Sequence, residues 1–474
     1  MIRPHLPFAS LILTGCVAVA AVNAALKEPA EKPNIIIIFN DDLGYRDLGC
    51  FGSPDILTPN VDRLAREGMR MTNFYAASPV CSASRAALLT GRYPGLVGVK
   101  GVFFPNQQGG LHTTHVTIAE TLKTAGYTTA IVGKWHLGDK PEFLPTNQGF
   151  DSYYGIPYSN DMYPAAGMKY ARDCQFREGF SLAKLEQRFA QDLEKGQPRE
   201  LKNKVPLMRN AECIEFPVDQ TTITRRYADE SMTFITQSVK SNRPFLLYLA
   251  NTMPHIPLFT EEQFRGKSRQ GRFGDTVEEI DCHTGRILSH LRELGVDQNT
   301  IVIFTSDNGP WLSLGKDAGS ALPLFEGKFT SFEGGQRVPF IIRWPGRIPA
   351  GSVCSELATT MDLHPTLAHL AGAKLPDAQL DGADIRPLLT NPEKSKSPHR
   401  YFFFVHNRGE AVRSGDWKYH QREFYQMKST ARESAGPTLY NLKDDIGETT
   451  NVIGEHPEVA QRLAKALQDH LGRY

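Results

Sequence analysis

Residues 34–39, "NIIIIF", form an unbroken apolar run that gives way abruptly to Asn40, Asp41 and Asp42. Such a run predicts a strand buried on both faces. "TPNVDRLAREG" then offers Thr58 as N-cap, Pro59 at the first helical position and Gly68 as stop. "TIAETLKTAG" repeats that design, with Thr117 and Glu120 at capping-box spacing, and feeds a second strand in "YTTAIVGKWH". An amphipathic helix around residues 225–239 precedes "RPFLLYLANTMPH", and another over 275–294 precedes "TIVIFTSDNG". "VPFIIRW" closes the set. Strands alternating with helices in this way predict an α/β fold with a mostly parallel sheet between helical layers.

Two stretches break the rhythm. Residues 158–219 are polar and irregular, which predicts an elaborated surface loop at a substrate rim. A Lys/Ser/Pro-rich stretch at 392–398 reads as a linker. Beyond it, "RYFFFV", "AVRSGDWKYH" and a terminal helix over 457–471 predict a small antiparallel sheet with one helix. The expected division is a signal peptide over 1–24, a main domain over 25–392 and a small α+β unit over 393–474.

The chain has 474 residues, a formal net charge of +1 and 41 % hydrophobic residues. No broad basic surface is available for nucleic acid, so any attraction for an anion must be local. The N-terminus carries Arg3, then an apolar run, then Val22 and Ala24 as small residues before a cleavage point. That pattern predicts export to the periplasm or beyond. "LTGC" at Cys16 leaves a lipid anchor open as an alternative, and without one no stable membrane partner is expected. The chain has seven cysteines, and setting aside Cys16 and Cys81 leaves an odd number. Cys174 with Cys213 is the disulfide pair to test first in an exported protein. Cys/His clusters with zinc spacing are missing from the sequence.

Chemistry gathers where the predicted strands end. The first strand runs into Asp41 and Asp42, the second into Lys134 and His136, a third into His255, and "TIVIFTS" into Asp307 and Asn308. Ligands in open α/β sheets bind at the carboxyl ends of strands. Taken singly, each group has an ordinary explanation. An Asp pair caps a helix, Asp-Asn-Gly makes a turn, and a lone His is a hydrogen-bonded structural residue. Together at one sheet edge they read otherwise. Three carboxylates and a carboxamide make a hard oxygen set that favours Ca²⁺, then Mg²⁺, over zinc. Arg85, Lys134, Lys328, His136 and His255 around such an ion suit a tetrahedral anion, and so sulfuryl or phosphoryl transfer.

"PVCSASRAALLTGRYP" places Cys81 at the start of a helix, where it is a buried thiol, half of a disulfide or a chemical centre. Here the chain resembles the formylglycine-dependent sulfatases of the alkaline phosphatase superfamily, closest to the arylsulfatase A and N-acetylgalactosamine-6-sulfatase group. "CSASRAALLTGR" is similar to their signature. "NIIIIFNDDLGYRDLGCFG", "GKWHLG", "GIPYSNDM", "TSDNGP" and "EGGQRVPFIIRWPG" follow the family's order, from about Pro33 to the C-terminus.

The resemblance implies an alkaline-phosphatase-like fold and hydrolysis of sulfate esters, on a sulfated carbohydrate or an aryl sulfate. It implies that a maturase oxidises Cys81 to formylglycine (3-oxoalanine). One hydroxyl of the hydrated aldehyde attacks sulfur, and the other then expels sulfate. By matched position, residue 81 joins Asp41, Asp42, Asp307 and Asn308 around one calcium ion, and Arg85 stabilises the hydrated aldehyde. His136 is the base for sulfate elimination, and Lys134 and Lys328 bind sulfate oxygens. His255 contacts the sulfate or protonates the leaving alcohol, with Ser159 as a secondary contact. Position 83 is Ala where the commonest signature has Pro, which leaves the maturing enzyme open. The rival readings are a phosphoesterase or phosphonate hydrolase of the same superfamily, and a sulfated-glycan-binding protein without catalysis.

Overall fold

A computed structural model describes Met1 and residues 32–192, 199–406, 409–432 and 436–474. The expected signal peptide and Cys16 lie outside the described residues. The strands are β1 (Asn34–Asn40), β2 (Met69–Met71), β3 (Phe74–Tyr75), β4 (Thr128–Gly133), β5 (Ser152–Gly155), β6 (Tyr170–Phe176), β7 (Leu207–Arg209) and β8 (Glu212–Phe216). They continue with β9 (Phe245–Ala250), β10 (Thr300–Ser306), β11 (Phe340–Arg343), β12 (Ser352–Cys354) and β13 (Ala358–Thr359). Four more, β14 (Phe402–His406), β15 (Gly409–Ser414), β16 (Trp417–Arg422) and β17 (Thr438–Asn441), make a separate antiparallel sheet.

The main sheet runs β12-β2-β11-β10-β1-β9-β4-β5-β7-β8-β6. Its centre, β10-β1-β9-β4-β5, is parallel throughout. Successive side chains of β1 face opposite sides, as a strand requires. Ile35, Ile37 and Phe39 pack with Leu88, Leu89, Ile118 and Leu122 from helices α2 (Cys81–Thr90) and α3 (Ile118–Thr124). Ile36 and Ile38 turn the other way, to Val61 and Leu64 of α1 (Pro59–Glu67) and to the long helices behind them. All five of these β1 side chains are wholly buried, each contributing about 2 kcal/mol of apolar transfer. Those long helices are α5 (Ile223–Lys240) and α6 (Gly271–Glu293), with α4 (Leu182–Asp192) before them in the chain.

The Thr117–Glu120 capping box forms as expected. Thr58 does occupy the N-cap of α1, but its hydroxyl accepts from the Gly49 amide and meets Asp62, so it caps no helix amide. The 158–219 stretch corrects the loop expectation more fully. It contains β6, α4, β7 and β8, and it extends the main sheet beyond β5. β6 exposes much of its side-chain surface, so it lacks the apolar run that marks a central strand. Cys174 on β6 and Cys213 on β8 are neighbours with sulfurs 4.0 Å apart, and both are free thiols. The stretch at 392–398 is pinned rather than loose: the Ser397 amide and the Lys396 ammonium both reach Glu356. After α7 (Glu333–Gln336), α8 (Leu363–Leu370) and α9 (Arg386–Thr390), helix α10 (Pro457–Leu471) packs Leu463 and Leu467 on the small sheet. Among the described residues, no helix is long and apolar enough to cross a membrane.

Candidate active site

β1, β4, β9 and β10 are adjacent and parallel, so their carboxyl ends open at one edge and carry their next residues to a common point. Asp41 and Asp42 leave β1, and Asp307 and Asn308 leave β10. The Asp42 amide donates to Asp307 Oδ1 at 3.2 Å, locking the two strand ends together. Lys134 and His136 leave β4 after a sharp turn at Gly133, where φ is 118°. A Cβ there would lie 1.8 Å from the Ala250 carbonyl oxygen, so only glycine lets β4 and β9 close this tightly. Asp42 and His136 themselves hold positive φ, at 64° and 62°. Strained residues of this kind persist where surrounding structure fixes them, and they cluster at functional sites.

Cys81 opens α2, and its thiol donates to Asp41 Oδ1 at 3.4 Å. Burial pushes that thiol well above its usual range, and the Asp41 charge pushes it further, so it stays protonated. It lacks the solvent exposure of a cysteine that reacts as thiolate, and burial outweighs the nearby lysines. Arg85, one turn on, pairs with Asp307 Oδ2 at 2.7 Å, approaches Asp41 Oδ2 at 3.4 Å and donates to the Lys134 carbonyl at 2.9 Å. Its guanidinium is entirely buried, a costly placement that the carboxylates offset.

Two lysines reach the acidic pair, one to each carboxylate. Lys134 Nζ donates to Asp41 Oδ2 and, at 3.2 Å, to Ser159 Oγ. Lys328 Nζ contacts both oxygens of Asp42, at 2.7 and 2.8 Å. Burial alone would raise the Asp41 carboxyl, but Lys134, His255 and Arg85 hold it far below the usual carboxylate range. Asp307 is pushed the other way, by burial first and then by the Asp41 charge.

The histidines differ. His136 Nε2 sits 2.9 Å from the Phe103 carbonyl and must donate there, which leaves Nδ1 buried with a lone pair and no partner. Burial, reinforced by Lys134 and Arg85, keeps this imidazole well below its usual range and therefore neutral. His255 is anchored through Nδ1, which faces the Ile256 carbonyl at 2.6 Å and Asn160 Oδ1 at 3.2 Å. Its Nε2 lies 3.4 Å from Ser159 Oγ and 3.7 Å from Asp42.

Every candidate from the sequence thus stands in one cluster. Asp41, Asp42, Cys81 and His255 present ligand atoms within 4.8 Å of one another, and that group could hold a metal ion. Asn308 adds a buried Oδ1 without a hydrogen-bond partner, while its Nδ2 donates to Asp42 Oδ1 at 2.7 Å. Three carboxylates and this orphaned carbonyl suit a hard divalent cation.

Sequence reasoning missed several neighbours. Asn160 orients His255 from both sides, holding its ring nitrogen and its backbone carbonyl. Trp311 lies 4.8 Å below Lys328 Nζ and 5.8 Å from the His255 ring. Gln426, from the C-terminal unit, donates to the Lys328 carbonyl at 3.1 Å. The only local signals were the polar "SND" and the tryptophan after "DNGP".

Comparison with known proteins agrees with this geometry. The family model described as Sulfatase matches residues 33–373, and that described as N-sulphoglucosamine sulphohydrolase, C-terminal, matches 323–473. Human arylsulfatase A is 40 % identical over 93 % of this chain and 87 % of its own length. N-acetylgalactosamine-6-sulfatase of Rattus norvegicus is 37 % identical over 94 % and 80 %. A solved structure, Ps i-CgsB in complex with k-i-k-neocarrahexaose, superposes with a TM-score of 0.76 at 30 % identity, covering 93 % of this chain and 92 % of that one. With its signature cysteine, paired aspartates and lysines all converging at one sheet edge, this chain belongs to the sulfatase family and is a sulfuric ester hydrolase.

Proposed function

We propose that this chain is an exported sulfatase of carbohydrates, working through a formylglycine made from Cys81 beside one calcium ion. The observation that carries the reading is the position of Cys81, with Sγ 3.4 Å from Asp41, in a ring of buried cations and beside the neutral His136 imidazole. A protonated, desolvated thiol is a poor nucleophile, so the site needs that residue in another chemical form. Formylglycine there would supply, once hydrated, one hydroxyl to attack sulfur and a second to expel sulfate. Asp41, Asp42, Asp307, Asn308 and residue 81 would hold calcium, which would polarise the attacking oxygen and a sulfate oxygen.

The chain's own groups do the rest. Arg85 would stabilise the negative charge that develops at residue 81, and Lys134 and Lys328 that on the sulfate oxygens. His136 Nδ1 would take the proton that frees sulfate. His255, with Ser159 beside it, would give a proton to the leaving alcohol. The named substrates of the sugar sulfatase relatives, and the glycan bound to the solved neighbour, support a carbohydrate. So does Trp311, whose partly exposed ring offers a face to a pyranose next to the sulfate cations. A maturase would be the partner that modifies Cys81. The N-terminal pattern supports export to the periplasm or the medium.

The test is sulfate release by the matured enzyme from defined sulfated mono- and oligosaccharides, an aryl sulfate and phosphate monoesters, after chelation and re-addition of single metals. We expect chelation to abolish turnover, calcium to restore it best and a sulfated sugar to be the preferred substrate. Restoration by zinc alone, with phosphate esters turned over faster than sulfates, would instead support the phosphoesterase reading.

A further inference from the structure

Glu261, Glu279 and His283 form a second group of metal-ligating side chains, away from the residues of the sulfate site. Glu279 and His283 are one turn apart on α6, on the same face. Glu261 comes from the segment that follows β9 and carries His255. The Glu279 side chain is 1 % exposed, that of His283 6 % and that of Glu261 17 %.

His283 Nε2 lies 3.6 Å from Glu279 Oε1 and 3.8 Å from Glu261 Oε2. These separations are too long for hydrogen bonds. Both His283 Nε2 and Glu279 Oε1 are buried without any hydrogen-bond partner, and both point into the space between the three side chains. Leaving a buried polar atom unpaired costs free energy, and a cation bound between them would satisfy both, Glu279 Oε1 as it stands and His283 Nε2 once its proton has moved.

The spacing fits an ion. Donors bound at 2.0–2.1 Å to a tetrahedral centre lie about 3.4 Å apart, so two edges of this triangle need to close by only a few tenths of an ångström. Each carboxylate is oriented through its other oxygen, with Glu279 Oε2 accepting the Glu261 amide at 3.1 Å and Glu261 Oε1 accepting Arg225 Nε at 2.7 Å. Held second oxygens of this kind are what a metal ligand needs from its surroundings. Gln263 Nε2 also donates to Glu261 Oε2, at 3.1 Å. Arg286 Nη1 lies 3.2 Å from His283 Nδ1 and can only donate, which places the imidazole proton on Nε2. Loading a metal would move that proton to Nδ1 and turn Arg286 Nη1 away, with its Nη2 still paired to Asp229 at 2.7 Å.

We propose that Glu261, Glu279 and His283 bind a zinc ion that clamps the His255-bearing segment to α6. One imidazole and two carboxylates suit zinc, whereas the all-oxygen set at the sulfate site suits calcium. The test uses the full-length protein, chelated and then saturated with calcium so that the sulfate site is occupied, and titrated with zinc chloride by calorimetry. We expect one zinc per chain, a zinc-dependent rise in Tm, and an X-ray absorption spectrum with a single imidazole among oxygen donors. His283→Gln and Glu279→Gln should each weaken zinc binding at least tenfold and remove the Tm rise while keeping calcium binding. No zinc uptake by the calcium-loaded wild type, a zinc spectrum without imidazole, or unchanged affinity in both folded variants would overturn the proposal.

Discussion

Lys134 and Lys328 are both buried, and each pairs with a different carboxylate of the acidic pair. In the proposed mechanism each stabilises charge on a sulfate oxygen, and losing one such preorganised contact typically costs about 3 kcal/mol, or roughly a hundredfold in rate. Lys134→Ala and Lys328→Ala should therefore each lower kcat/KM by about that factor. Each substitution also leaves a buried aspartate short of its counter-charge, so the loss of stability should be larger in calcium-free protein than in calcium-loaded protein. Steady-state kinetics beside thermal melts at both calcium levels would check this, and near-full activity in a folded variant would remove that lysine from the site. The residues that strands deliver were legible in the sequence, because a strand end fixes where its next side chains go. Asn160, Trp311 and Gln426 were not, because each meets its partner across a long stretch of chain and only packing brings them together.

The turn out of β4 carries Lys134 and His136 into the site, and its geometry depends on one residue. The Lys134 amide donates to the Ala250 carbonyl at 2.8 Å, the same oxygen that a Cβ at position 133 would strike. Gly133→Ala should destabilise the protein by about 3 kcal/mol, combining backbone strain with displacement of β4 from β9. Activity should fall further than the folded fraction does, because both Lys134 and His136 move. A urea titration paired with kcat/KM at low denaturant would measure both, and an unchanged midpoint would contradict the close approach. Central elements were readable because burial on both faces writes unbroken apolar runs. The outer strands β6, β7 and β8 were not, because β6 at the edge is largely polar and β7 and β8 are too short to write an apolar run. Thr58 shows the same limit at a cap, where Gly49 and Asp62 claim its hydroxyl.

At the scale of the whole molecule, the small sheet is bound to helix α7 by a buried charge cluster just beyond the Lys328 loop. Lys418 pairs with Glu333 and Glu448 at 3.0 and 3.1 Å, His420 meets Glu448 at 2.8 Å, and Glu448 also accepts the Glu333 amide at 2.7 Å. Both units thus support one site, and the proposed chemistry there turns on residue 81. The sequence pattern made the two-sheet architecture readable, but this charge cluster has no local signature, since its members come from three separated segments. A serine in place of Cys81 is close to isosteric and should leave the fold intact. It offers one hydroxyl, which can attack sulfur but leaves no neighbouring hydroxyl to expel the sulfate. The deciding measurement is sulfate release by Cys81→Ser beside wild type, made in a host that matures cysteine but not serine, with intact mass recorded after incubation with substrate. The expected result is at most a trace of turnover and a trapped sulfate ester on residue 81. Sustained wild-type turnover by the unmodified serine variant would contradict formylglycine chemistry at this site.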